Sequence, residues 1–163
     1  MTFPRAAIDE AFSLLPKAMD STLARVLHAA IGYQESKYGS RRQLLRVNGV
    51  LAPVGPAASY WQFENGRLAG INGVLTHTAS AKHAQRVCDA LAVKPERMAV
   101  WERMAADDVL GAAFARLLMY TDPHRLPGST QEGWELYQRV WRPGRPHSET
   151  WGKSYAFALE QYS

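Results

Sequence analysis

Residues 30 to 38 read A-I-G-Y-Q-E-S-K-Y, and residues 55 to 64 read G-P-A-A-S-Y-W-Q-F-E. The first stretch closes an amphipathic helix. Its apolar positions Leu23, Val26, Leu27, Ala30 and Ile31 follow the i, i+3, i+4, i+7, i+8 spacing of a core-facing stripe. Glu35 comes four residues after Ile31 and eight after Leu27, so it prolongs that stripe. The sequence therefore carries a carboxyl group inward at the turn where the helix runs out. A carboxyl held against apolar walls loses solvation of its charged form and its pKa rises, which is what a general acid near neutral pH requires.

Working outward, residues 3 to 15 read as a first helix, with Ile8, Ala11, Phe12 and Leu15 on one face and Pro16 as its stop. Asp20 or Ser21 caps the second helix, which is expected to reach about Tyr38 before Gly39-Ser40 breaks it. In Q-L-L-R-V-N-G-V-L-A, the pair Asn48-Gly49 between short apolar runs predicts a type I′ hairpin, the one β element expected. The glycine-rich N-G-R-L-A-G-I-N-G-V that follows Glu64 reads as tight turns. It has neither the order of a phosphate loop nor a dinucleotide fingerprint.

From Thr78 onward the pattern is helical: about Ser80 to Leu91, a short helix from Pro95 through Met104, and a broad apolar helix opened by Asp107 or Asp108. Another carries Trp134, Tyr137, Val140 and Trp141, and the last runs from Glu149 to Tyr162. The expected fold is mostly α, a helical domain with one small β-hairpin inserted after the second helix. Residues 1 to 163 form one domain, with no repeat or linker.

Composition narrows the function classes. A chain of 163 residues, 47% hydrophobic and 21% charged, buries a core without help from disulfides or metals. Its one cysteine, Cys88, sits at core spacing with Ala84 and Leu91, so no disulfide framework or thiolate zinc site is expected. His77 and His83 are six apart, wrong for two ligands on one helix face, and no metal or other cofactor is implied. No apolar run reaches membrane-spanning length, and no charged-then-apolar leader opens the chain. Cytoplasmic synthesis is the expectation, with action elsewhere needing another delivery route. Arginine outnumbers lysine 14 to 5 and net charge is +4, which favours an anionic partner or simply a solvated basic surface. No DNA-binding motif is recognisable, so nucleic acid is not the favoured partner. Arg142, Arg145 and His147 make a basic turn suited to a phosphate or a cell-wall carboxylate, or to plain solvation.

Two carboxylates differ in setting: Glu35 at an inward-facing helix end, and Glu64 in an aromatic, glycine-flanked loop. Glycosidic bond cleavage uses such a pair. One group protonates the leaving oxygen, and the other activates water or stabilises the oxocarbenium charge. The plainer alternatives are a Glu35 paired with Lys37, Arg41 or Arg42, and a Glu64 near Arg67. Among the tryptophans, Trp61 is the one expected to stack on a sugar ring, with Tyr60 sharing the role.

Glu35-Ser36 at the end of an early helix, then a glycine-containing loop ending in Gln62, resembles the lysozyme-like superfamily: lytic transglycosylases, goose-type lysozymes and phage endolysins. Those enzymes typically show Glu-Ser and a loop ending Gly-Leu-Met-Gln. Here Ser59-Tyr60-Trp61-Gln62 stands in that place, and only the glutamine is kept. Goose-type enzymes have an acidic residue two positions beyond that glutamine, which Glu64 matches.

The resemblance implies an α+β lysozyme-like fold and a muramidase that cleaves peptidoglycan glycan strands. Glu35 would be its general acid, Ser36 and Gln62 supporting groups, and Glu64 a water-positioning base. A late Tyr-Asn-Ala-Gly-type motif has Tyr120-Thr121-Asp122-Pro123 as its nearest counterpart, which makes Tyr120 a substrate-binding candidate and hydrolysis the favoured route over anhydro-product formation. The style of the chain resembles bacteriophage or prophage proteins that act on the cell wall after release or as part of the virion. The alternative expectation is a non-catalytic phage structural or glycan-binding protein that keeps the scaffold.

Overall fold

The computed structural model describes residues 2–66 and 70–163. Among these, eight α-helices carry the fold, and two small antiparallel pairs sit between the second and third. Helix α1 spans Arg5–Ser13, and a single 3₁₀ turn at Lys17–Met19 leads into α2, Thr22–Ser36. Ser21 caps α2, its hydroxyl accepting from the Ala24 amide at 3.1 Å. The helix ends at Ser36, two residues short of the expected Tyr38, because Lys37 and Tyr38 both turn left-handed, at φ 51° and 52°. The chain thus breaks before Gly39, and Tyr38 folds back with its hydroxyl on the Ala29 carbonyl at 2.9 Å. α1 also stops early, at Ser13, where Ser13 Oγ donates to the Glu10 carbonyl.

Strands β1 (Leu45–Val47) and β2 (Val50–Ala52) form the expected hairpin, with Val47 opposite Val50. Asn48 at φ 49° and Gly49 at φ 83° supply the two left-handed positions that a type I′ turn demands. Its apolar side chains face outward: Val47 is 46% exposed, Val50 68% and Leu51 56%. A lone hairpin is marginal in water, so its base is tied down, with Gln43 N–H donating to Ala57 O and Gly55 N–H to Gln43 O.

The expectation of one β element falls short. A second pair, β3 (Ala57–Ala58) with β4 (Phe63–Glu64), closes the loop Ser59 to Gln62, and Arg42 bridges to Ala58 beside it. The turn-like glycine stretch contains a short helix, α3 (Ile71–Thr76), whose Ile71 and Val74 are buried. Burying two apolar side chains one turn apart outweighs the poor helix propensity of glycine there.

The remaining helices follow the sequence pattern closely: α4 (Ala81–Ala90), α5 (Arg97–Met104), α6 (Asp108–Tyr120), α7 (Thr130–Trp141) and α8 (Ser148–Gln161). α6 is buried from Leu110 to Met119, and α2 is enclosed by α6 and α8, so even His28 and Ala29 on its far face are fully buried. Side chains from α1 to α8 join one core. Cys88 belongs to it, and burial pushes its thiol up to about 11. No helix among the described residues is long and apolar enough to cross a membrane.

Candidate functional site

An open cleft of about 900 Å³ runs past the C-terminal turn of α2. Its wall includes Glu35, Ser36, Gln62, Glu64, Tyr137 and Trp141. A second hollow of about 510 Å³ shares Gly70, Leu118, Val140 and Arg142 with it, so the two adjoin.

Glu35 is half-buried at the cleft wall. Its Oε1 accepts a hydrogen bond from the Tyr137 hydroxyl at 2.7 Å. Burial pushes the carboxyl up. The Tyr137 bond pulls it partly back down, the charge of Glu64 adds a smaller upward push, and the outcome is about 7 against an ordinary 4.5. The alternative in which Glu35 pairs with Lys37, Arg41 or Arg42 is not what the side chains do. Arg41 instead holds Asp108, with Nε to Oδ1 at 2.6 Å, and Arg42 lies over the Trp101 ring. The phenol of Tyr137 is itself raised well above its usual range by burial and by the charge it faces. It remains a donor throughout the physiological range.

Glu64 is exposed on β4 and lines the same cleft. Arg67, its expected neighbour, lies outside the described residues. Ser36 also lines the cleft, but its hydroxyl finishes the helix end, donating to Gly32 O at 3.2 Å and accepting from the Tyr38 amide at 3.1 Å. Gln62 reaches the cleft in a left-handed conformation, φ 52°, with its side-chain amide donating to Ser59 O at 2.7 Å.

Three expected substrate contacts lie elsewhere. Trp61 is fully buried: its indole N–H donates to the His28 carbonyl at 2.9 Å and its ring packs on His28, so no face is left for a sugar. Tyr60 is buried to 8% exposure with the Arg41 guanidinium over its ring, and it does not line the cleft. Tyr120 is exposed but lines neither hollow; Arg116 and His83 flank its ring. In these loops the sequence shows no period, so the direction of each side chain is decided by the tertiary packing.

Two residues that sequence reasoning placed only on a core helix line the cleft as well. Tyr137 holds Glu35, and Trp141, half-buried in the cleft wall, donates its indole N–H to Trp61 O at 3.0 Å. They are four apart on α7, so one helix face carries both. An aromatic pair at i, i+4 beside polar helix positions was the available signal.

The hydroxyl of Tyr137 favours the ionised form of Glu35. Tyr137→Phe is therefore expected to move the titration midpoint of the Glu35 carboxyl upward from about 7. Carbon-13 carboxyl NMR reads this directly, and a midpoint that falls would remove the hydrogen bond from the account. Comparison of the chain with protein-family models, with curated proteins and with solved structures returned no match.

Proposed function

We propose that the chain is a muramidase of the lysozyme-like superfamily that cleaves the glycan strands of bacterial peptidoglycan, with Glu35 as general acid. The observation that carries this reading is a carboxyl pushed up to about 7 on the wall of an open cleft of about 900 Å³. Proton transfer is most effective when the donor's pKa lies near the working pH. In this reading Glu35 protonates the leaving glycosidic oxygen and Tyr137 keeps its carboxyl oriented. Glu64, on β4, positions the attacking water or steadies the positive charge that develops on the sugar ring. The Trp141 ring in the cleft wall supplies an aromatic surface of the kind on which pyranose faces pack. The setting we propose is a bacteriophage or prophage protein that meets the wall after release or as a virion component.

Purified peptidoglycan incubated with the protein tests the reading through its products. New reducing ends are expected, and anhydro-sugars would assign the transglycosylase route instead. Absence of both, with the protein folded, would end the catalytic proposal.

One observation favours a second reading, a non-catalytic glycan-binding or structural phage protein on the same scaffold. Of the loop Ser59 to Gln62, only Gln62 reaches the cleft, and its amide is turned back onto Ser59 O. That reading expects glycan retention with no cleavage product.

A further inference from the structure

Most of the paired arginines in this protein are committed to carboxylates outside the cleft: Arg5 and Arg25 to Asp9, Arg41 to Asp108, Arg103 to Asp107, and Arg125 to Glu132. The cleft is different. Lys37, Arg42, Arg142 and Arg145 all line it, and among the described residues none of the four sits in an ion pair. Among the described residues, only two acidic side chains, Glu35 and Glu64, line the same space. Four cations outside any ion pair against two acids make a cleft that attracts anions.

The backbone that carries two of these cations is also restrained. Arg142 and Arg145 alternate with Pro143 and Pro146, whose rings restrict the backbone between α7 and α8. The Gln34 amide, one residue before Glu35, donates to His147 O at 3.1 Å and to Thr150 Oγ1 at 2.9 Å. The basic turn is thereby fastened to the helix turn that carries the acid. Arg42 also lines the cleft; its guanidinium stacks 4.0 Å over the ring of Trp101, which lies behind that lining, and its Nη1 is buried with no hydrogen-bond partner among the described residues. A planar guanidinium held this way suits a carboxylate better than a mobile ammonium does.

We propose that the turn from Arg142 to His147, with Arg42, forms an anion subsite that selects glycan strands bearing carboxylate side chains over neutral strands. This rests on the muramidase reading for the identity of the polymer. The shared chemistry also fits phosphate-bearing wall polymers, and the test separates the two. Here the carboxylates are those of the peptide side chains on the strand itself, brought near Arg142 and Arg145 when the sugar backbone lies along Glu35.

The experiment is a binding titration with Glu35→Gln protein, so that strands stay intact. The probes are three: peptide-bearing glycan oligomers, the same oligomers with their carboxyls amidated by carbodiimide, and a glycerol phosphate oligomer. Native oligomers are expected to bind at least tenfold tighter than amidated ones. The double variant Arg142→Asn, Arg145→Gln, in which asparagine tolerates the left-handed backbone at residue 142 (φ 49°), is expected to bind the two glycans alike. Arg42→Gln, on a different element, is expected to narrow the preference as well, so a folding defect in one variant leaves the other as the test. Equal binding of native and amidated oligomers by the Glu35→Gln protein would overturn the subsite. Tighter binding of the glycerol phosphate oligomer than of native glycan would overturn the assignment to carboxylates of the strand. Cleavage by wild-type protein without any charge preference would sink this inference alone, whereas a charge preference without cleavage would sink only the catalytic reading.

Discussion

Glu35→Gln is expected, on the proposed muramidase reading, to lower peptidoglycan cleavage by about 10²–10⁴-fold, the range that a positioned general acid contributes, while leaving the fold intact. Glutamine has the same shape, its side-chain oxygen still accepts the Tyr137 hydroxyl hydrogen, and it has no charge to desolvate. Turbidity clearance at the wild-type rate by this variant would remove Glu35 from the mechanism. The same substitution has a thermodynamic signature that needs no substrate. The folded pKa of about 7 lies above the free value of 4.5, so burial penalises the charged form. The stability this group contributes is complete below about pH 4.5 and is lost as pH rises through about 7. At 1.36 kcal/mol per pKa unit the loss would be about 3.4 kcal/mol, reduced to about 2 kcal/mol by the water that reaches a half-buried carboxyl.

His28 acts with the opposite sign. Burial holds its imidazole down at about 3, so the unfolded chain takes up the proton first and stability falls as pH drops below about 6.5. The two slopes partly cancel in the wild type, and the difference between wild type and variant isolates Glu35. Denaturant melts should show Glu35→Gln gaining on wild type by about 2 kcal/mol between pH 4.5 and pH 8. A pH-independent difference would mean that Glu35 is not held neutral.

Trp61→Ala is expected to cost about 3–5 kcal/mol, the usual range for deleting a large buried aromatic. For a chain of this length that lowers Tm by about 6–20 °C. Three features place Trp61 at the high end. It is fully buried, its indole N–H is bonded to a carbonyl inside α2, and its own carbonyl anchors the Trp141 indole. Two glycines make room for this loop. A Cβ on Gly32 would collide with the Tyr38 hydroxyl and lie 2.9 Å from Trp61 Nε1, and one on Gly111 would lie 2.8 Å from Ser59 Cβ. Removing the indole opens a cavity beside α2, takes the second donor from the His28 carbonyl, and loosens Gln62, Glu64 and Trp141 together. Thermal melts check the magnitude. A drop of only a few degrees would indicate a loop that rests on the surface and not one set into the core. Trp61→Phe should fall between, since it restores most of the volume but not the hydrogen bond.

The helical part of this architecture was legible because each long helix repeats its apolar residues at a fixed period. The stripe on α2, the uniformly apolar run of α6 and the Tyr137 face of α7 predict their elements from residue identity alone. Short-range chemistry was equally readable: Ser21 as a cap, and Asn48-Gly49 as a turn whose two positive φ angles few residue pairs tolerate. The inward aim of Glu35 follows from the same periodicity, because on a helix the spacing from Leu27 and Ile31 sets the direction of the side chain.

What surrounds Glu35 is a different matter. Tyr137 is 102 positions away in the chain, and no local rule brings its hydroxyl to 2.7 Å from the carboxyl. The packing of α7 beside the end of α2 does. That Trp61 is buried while Trp141 lines the cleft has the same origin. A non-periodic loop carries no signal of which aromatic turns inward, and that choice was decided by the space left beside Gly32 and Gly111 and by the second lone pair that the helical His28 carbonyl offers to a donor. Local sequence sets period, caps and turns because those depend on near neighbours. The surroundings of the acid depend on contacts between distant segments, which exist only once the helices have packed.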